Sequence, residues 1–308
     1  MISAIFILIL VLLTSCQMEY EKGDIYYISY ATNYIYNANK EYNNRLNGTI
    51  NDTDGLHYAL EKYSEEYGND YFYSNIRVKH DDHGSKILSV DSNYSGVTDV
   101  NKSVSEYASL VDDVQKALAE FTTIKTNEND IVIFTFSGHG FENGNLSFDR
   151  YINDKGNIGD FVIDLSDLYN YMSGFKGNKV IILDSCFSGN VLEEEETPSY
   201  NTGLANIYKT LDFEYGERNN MYLLASSSKD KKSYESSYHG HVHGSMIHKI
   251  LKHLNFVCDT DNMANGRVSK FRNITYSSIC KEIRPSLSNF FLSDHKFKLT
   301  PYNLNIFY

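Results

Sequence analysis

Residues 180–190 read VIILDSCFSGN. A run of four apolar side chains meets an acid, Asp184, and a cysteine, Cys186, follows two positions later among small residues. The continuous Val, Ile and Leu run describes a strand buried on both faces, the signature of a parallel sheet. Such a strand gains nothing from ending on a carboxylate, and a packing cysteine does not need one beside it.

Upstream, Ile131 to Phe136 is a second continuously apolar run, and it opens into Ser137-Gly138-His139-Gly140. Around these two runs the hydrophobic period alternates between 2 and 3.6. Asp24 to Tyr30 and Tyr71 to Val78 read as strands. Leu56, Ala59, Leu60, Tyr63 and Tyr67 recur at helical spacing, which predicts a helix from near Thr53. Val104, Tyr107, Val111, Val114, Leu118 and Phe121 mark an amphipathic helix. Leu165 to Met172 is a short helix, and Lys179 to Leu183 and Met221 to Ala225 are further strands. Met246, Ile247, Ile250, Leu251 and Leu254 give a last helix. This alternation predicts an α/β fold with a mostly parallel central sheet and helices on both faces. Asn190 to Asn220, carrying the acidic run Glu193 to Glu196, and Lys229 to Gly240 read as insertions or linkers.

The net charge of -12 argues against a nucleic-acid partner, because binding phosphates takes clustered Lys and Arg. It suits a cationic peptide better. At the N-terminus, Ile5 to Leu13 has the length of a signal-peptide core and is short for a membrane span. It ends in Leu13-Thr14-Ser15-Cys16, which resembles the bacterial lipoprotein signal, although no Lys or Arg precedes the apolar run. That resemblance implies that residues 1–15 are removed and that acyl chains on Cys16 anchor the exported protein to a membrane. Gln17 is not the aspartate tied to inner-membrane retention, so an outer-membrane or surface location is expected. Of the remaining cysteines, Cys258 and Cys280 are free to form one disulfide in an oxidising compartment, which leaves Cys186 odd.

In parallel α/β sheets the carboxyl ends of strands open into the ligand crevice. His139 and Cys186 each stand just past such an end. A free thiol has a pKa of about 8.5 and only the thiolate attacks well, so an adjacent imidazole takes its proton and later protonates a leaving amine. Gly138, Gly140 and Gly189 let backbone approach a substrate, and the N–H groups of Gly140 and Cys186 are candidates to hold an oxyanion.

FTFSGHG followed by VIILDSCFSG resembles the His-Gly and Asp-x-Cys pair of the caspase-like cysteine peptidases, closest to the metacaspase type. Leu46-Asn47-Gly48-Thr49-Ile50-Asn51-Asp52 is similar to the segment that precedes that family's first helix. Tyr222 to Ser226, Ser233-Tyr234-Glu235 and His243-Gly244 resemble its downstream region. The likeness covers roughly Asp24 to Asn255 and implies one caspase-like peptidase domain over residues 16–308, with residues 256–308 as an extension of no assigned chemistry. It further implies His139 as general acid/base and Cys186 as nucleophile. In metacaspase-type enzymes the acid two residues before the nucleophile lines the pocket for the residue preceding the cut. Asp184 and Asp52 would then meet an Arg or Lys of the substrate.

Simpler roles compete. Asp184 also suits a cap for the helix after its strand, and Asp52 an N-cap for the first helix. The HGHVHG run of His239, His241 and His243 reads as a flexible loop rather than a metal site. Calcium is associated with many metacaspases, yet Glu193 to Glu196 reads as a solvated linker, and no cofactor or metal ligand is assigned. Lys209 and Arg218 are candidate self-cleavage points. A clostripain-like peptidase, or a non-enzymatic surface lipoprotein on the same fold, are the alternatives.

Overall fold

The computed structural model describes residues 23–34, 45–80, 85–104, 107–152, 158–188, 221–227 and 232–268. Cys16, Glu193 to Glu196, Lys209, Arg218 and Cys280 lie outside the described residues.

The chain opens with β1 (Ile25–Thr32), α1 (Thr49–Tyr67), β2 (Tyr71–His80), β3 (Lys86–Ser92) and β4 (Val100–Val104). Next come α2 (Tyr107–Phe121), β5 (Ile131–Ser137), β6 (His139–Gly140), β7 (Leu146–Ile152), β8 (Ile158–Ile163) and α3 (Leu165–Ser173). The remainder holds β9 (Asn178–Asp184), β10 (Met221–Ala225), β11 (Glu235–Tyr238), β12 (His241–Gly244) and α4 (Ser245–His253). A small ribbon of β13 (Phe256–Val257) and β14 (Arg267–Val268) follows.

Seven strands make the central sheet in the order β10-β9-β5-β1-β2-β3-β4. The first five in that order are parallel, and β3 and β4 add an antiparallel edge. Side chains alternate across a strand, and β1, β5 and β9 use both sides. Tyr26, Ile28, Tyr30, Val132, Phe134, Phe136, Ile181 and Leu183 pack against Leu110 and Val114 of α2 and Leu168 and Met172 of α3. Ile25, Tyr27, Ile131, Ile133, Val180 and Ile182 meet Leu56 and Leu60 of α1 and Ile247, Ile250 and Leu251 of α4. Helices therefore cover both faces, as the continuous apolar runs require. Among the described residues, no helix is long and apolar enough to cross a membrane.

Several elements depart from the sequence reading. α1 starts at Thr49, ahead of Thr53, because tertiary partners hold its first turn. The Gly48 N–H donates to Glu235 Oε1, and Thr49 Oγ1 donates to the Thr32 carbonyl at 2.8 Å. Val104 ends β4 and does not enter α2; it pairs with Lys86 across the β3–β4 ladder. These two outer strands, of which β4 is the edge, are rich in Lys, Ser, Asn and Asp, as edges commonly are, so they carry little apolar signal. The three-stranded ribbon β6-β7-β8 was also unmarked by periodicity. HGHVHG is no flexible loop. His239 (φ 47°) and Gly240 (φ 85°) form the two-residue turn between β11 and β12; positive φ at both positions matches the twist of a hairpin.

Candidate active site

β5 and β9 are adjacent and parallel, with Ser137 opposite Asp184. The pairing runs one residue further, where the Gly138 N–H donates to the Asp184 carbonyl at 3.2 Å. His139 and Cys186 thus each stand two residues past the same rung. Beyond it the two backbones touch. A Cβ on Gly140 would lie 2.1 Å from the Cys186 carbonyl oxygen and 3.1 Å from Ser185 Oγ, so only glycine lets this strand end lie against the cysteine turn. The chain leaves β1 for β2 on one side while β5 lies on the other. The sheet order reverses there, which is where open α/β sheets form their crevice.

The turn that carries Cys186 is sharp and clamped. Phe187 takes φ 58°, left-handed for a bulky residue. Two serines that follow β10 brace it. Ser226 Oγ and Ser227 Oγ both donate to the Ser185 carbonyl, at 3.1 and 3.0 Å, and the Ser188 N–H donates to Ser227 Oγ at 3.2 Å. Burial pushes the half-buried Cys186 thiol above its ordinary range; the Ser233 N–H and the Lys232 charge pull it down, and Asp184 pushes it up again. A thiol held protonated needs a base, and the β5–β9 register brings an imidazole to the same edge.

Asp184 and Asp52 lie beneath this corner, and Asp52 does not take the N-cap position read from sequence. Asp184, 5% exposed, accepts from Ser233 Oγ at 2.7 Å and from the Ile247 N–H at 3.3 Å. It caps α4, from far along the chain, while residues 189–220 after its own strand lie outside the described residues. The N-cap of α1 is Gly48, and Asp52 sits in the first turn. Asp52, 1% exposed, accepts from Ser137 Oγ at 2.6 Å, the Gly244 N–H at 2.9 Å and His243 Nδ1 at 3.1 Å. Gly244 is wedged between the two acids, since a Cβ there would come within 2.1 Å of Asp184 Oδ2. The start of α4 thus lies against both carboxylates, and the positive end of its dipole favours their charge. Burial nevertheless raises both pKa values, and the Asp184 charge lifts Asp52 further.

Ser137, Ser233 and His243 were not read from sequence as partners of these acids. The available signals were that Ser137 precedes Gly138-His139 and that Ser233-Tyr234-Glu235 and His243-Gly244 resemble the downstream region of the caspase-like peptidases. Burial lowers the His243 pKa to about 4, so its neutral ring donates to Asp52 through Nδ1. Among the described residues, no group of three or more His, Cys, Asp and Glu is arranged to hold a cation. Cys258 is a buried thiol that burial pushes up to about 11; its suggested partner Cys280 is outside the described residues.

A family model, the caspase domain, matches residues 33–300. The chain belongs to the caspase domain family. Among solved structures it is similar to a secreted C11 cysteine protease from Bacteroides thetaiotaomicron in complex with an irreversible peptide inhibitor. That match has 15% identity, covers 55% of this chain and 44% of that one, and has a TM-score of 0.28. A second structure of a secreted C11 cysteine protease from the same organism, called iotapain, matches at 14% identity over 87% of this chain and 63% of that one, with a TM-score of 0.34. The chain thus spans less than two thirds of either of these proteins. No curated protein matches it.

Proposed function

We propose that the protein is an exported, lipid-anchored endopeptidase that cuts after Arg or Lys through a thioester on Cys186, with His139 as general acid/base. The supporting observation is the register that sets Ser137 opposite Asp184 and lays Gly140 on the Cys186 carbonyl. His139 takes the thiol proton as Sγ bonds to the scissile carbonyl carbon. The Gly140 and Cys186 N–H groups are the candidate donors to the resulting oxyanion. Collapse breaks the C–N bond, and the imidazolium gives its proton to the departing amine. Water then hydrolyses the thioester, with His139 acting as base.

The basic preference draws its support from the two acids. Asp52 and Asp184 are desolvated and repel each other, which disfavours two charges there until a cation arrives. Ser137 and Ser233 hold them by hydroxyls, groups that can reorient when a guanidinium or ammonium takes their place. The lipid anchor rests on Leu13-Thr14-Ser15-Cys16 alone.

Labelling with a peptidyl-arginine chloromethyl ketone tests the chemistry. Wild type should be modified and Cys186→Ala should not; labelling that persists in the variant refutes the nucleophile. Cleavage of aspartyl reporters with arginyl and lysyl ones left intact would refute the specificity. Metabolic labelling with palmitate, lost in Cys16→Ala, tests the anchor.

A further inference from the structure

Tyr34 stands two residues past the end of β1, on the β5 side of the sheet's reversal point. It is fully buried, and its φ of 45° lies in the left-handed region. A bulky side chain rarely adopts that conformation unless its surroundings impose it. Here they do. Asn33 is locked to the end of β2: its Nδ2 donates to the His80 carbonyl at 3.2 Å, and the His80 N–H donates to its Oδ1 at 2.8 Å.

The phenol reached from this mount meets His139 twice. Its ring centroid lies 4.4 Å from that of the imidazole, tilted by 47°. Its hydroxyl accepts the His139 backbone N–H at 3.0 Å and donates to the Ser147 carbonyl. Ser147 is the residue paired with His139 across β6 and β7, so one hydroxyl joins both strands at the rung that carries the imidazole. Two residues along, buried Asp149 ties β7 to His80 at 2.8 Å and to Lys86. Gly138 is shaped by the same contact, for a Cβ there would lie 2.5 Å from the Tyr34 hydroxyl.

The geometry points to Tyr34 as the positioning residue of the base, fixing the imidazole of His139 and stabilising its protonated form. A base must be held in reach of its proton, and small misplacements are costly. The face of a phenol ring also attracts a cation, and His139 becomes one when it takes the Cys186 proton. The sequence motifs contain no hint of this role, because Tyr34 lies 105 positions from His139.

The inference rests on reading His139 as the base, and the test separates the two. Tyr34→Phe removes the hydroxyl and keeps the ring; Tyr34→Leu removes both. With an arginyl peptide, kcat should fall about 10-fold in Tyr34→Phe and about 100-fold in Tyr34→Leu, with KM within about twofold. In a Cys186→Ala background, the His139 pKa followed by NMR should drop in Tyr34→Leu and hold in Tyr34→Phe. Full kcat in Tyr34→Phe, or a His139 titration unchanged in Tyr34→Leu, overturns the inference. If Tyr34→Leu fails to fold, kcat of Tyr34→Phe decides. Activity retained in His139→Ala would instead sink the reading beneath it.

Discussion

The central sheet carries buried carboxylates at both ends of its middle strands, and the two ends differ. At the amino end Asp130, fully buried, accepts from the Asp24 N–H at 2.9 Å and the Asn127 N–H at 2.7 Å. Both donors are backbone, and the acid ties the start of β1 to the turn before β5. At the carboxyl end Asp52 and Asp184 also accept backbone N–H groups, those of Gly244 and Ile247. There, however, hydroxyls of Ser137 and Ser233 share the work, and a thiol lies alongside. Burial of an acid therefore does not mark a site. The proposed site differs in that its buried acids are held partly by hydroxyls and lie beside a cysteine.

The largest effect expected is at the thiol. Cys186→Ala should lower peptide cleavage by at least about a thousandfold while circular dichroism stays unchanged. Residual cleavage near wild type would move the chemistry elsewhere.

The two ends separate next. Asp184→Ala should cost about 2–5 kcal/mol in kcat/KM for an arginyl peptide, roughly 30-fold to several thousandfold. Asp130→Ala should leave the kcat/KM of the folded protein within about twofold. Its cost should appear as about 2–4 kcal/mol in urea unfolding, for two charge-assisted hydrogen bonds lost. If both variants lose only stability, the distinction between the ends collapses.

The smallest effect concerns pH and isolates the scaffold from the site. Burial, helped by the Arg77 charge, lowers the pKa of His57 on α1 to about 3, against 6.5 when unfolded. The fold prefers the neutral ring, so this contribution is complete above pH 6.5 and is lost as pH falls toward 3. Between pH 6.5 and 5 it amounts to about 2 kcal/mol. His57→Gln should flatten the fall in urea midpoint over that interval without moving the activity profile. An unchanged slope would overturn the assignment of this acid sensitivity to His57, since the raised pKa values of Asp52 and Asp184 favour the fold as pH falls.

Much of this was legible in the sequence. The Ile131–Phe136 and Val180–Leu183 runs announced the central parallel strands, and Ser137-Gly138-His139-Gly140 and Asp184-Ser185-Cys186 named the strand ends that meet. Illegible were the polar strands β3 and β4 on the antiparallel side, whose Lys and Asn blur the apolar period. Also hidden was β12, where histidines sit at positions that alternation would assign only if hydrophobic. Asp52 and Asp184 read as local caps because sequence reasoning reaches only neighbouring turns, whereas their donors come from β12, α4 and the segment before β11.

Alone, the sequence determined the order of the five parallel strands and four helices and the two chemical groups past the ends of β5 and β9, because local periodicity and turn residues are written within a few positions. Only the tertiary structure decided that Asp52 meets Gly244 and His243, that Asp184 meets Ile247, and that Tyr34 meets His139. Those pairs lie 192, 191, 63 and 105 positions apart. Their meeting depends on sheet register and on which side of β1 the next strand is laid, and no stretch of chain carries that information by itself.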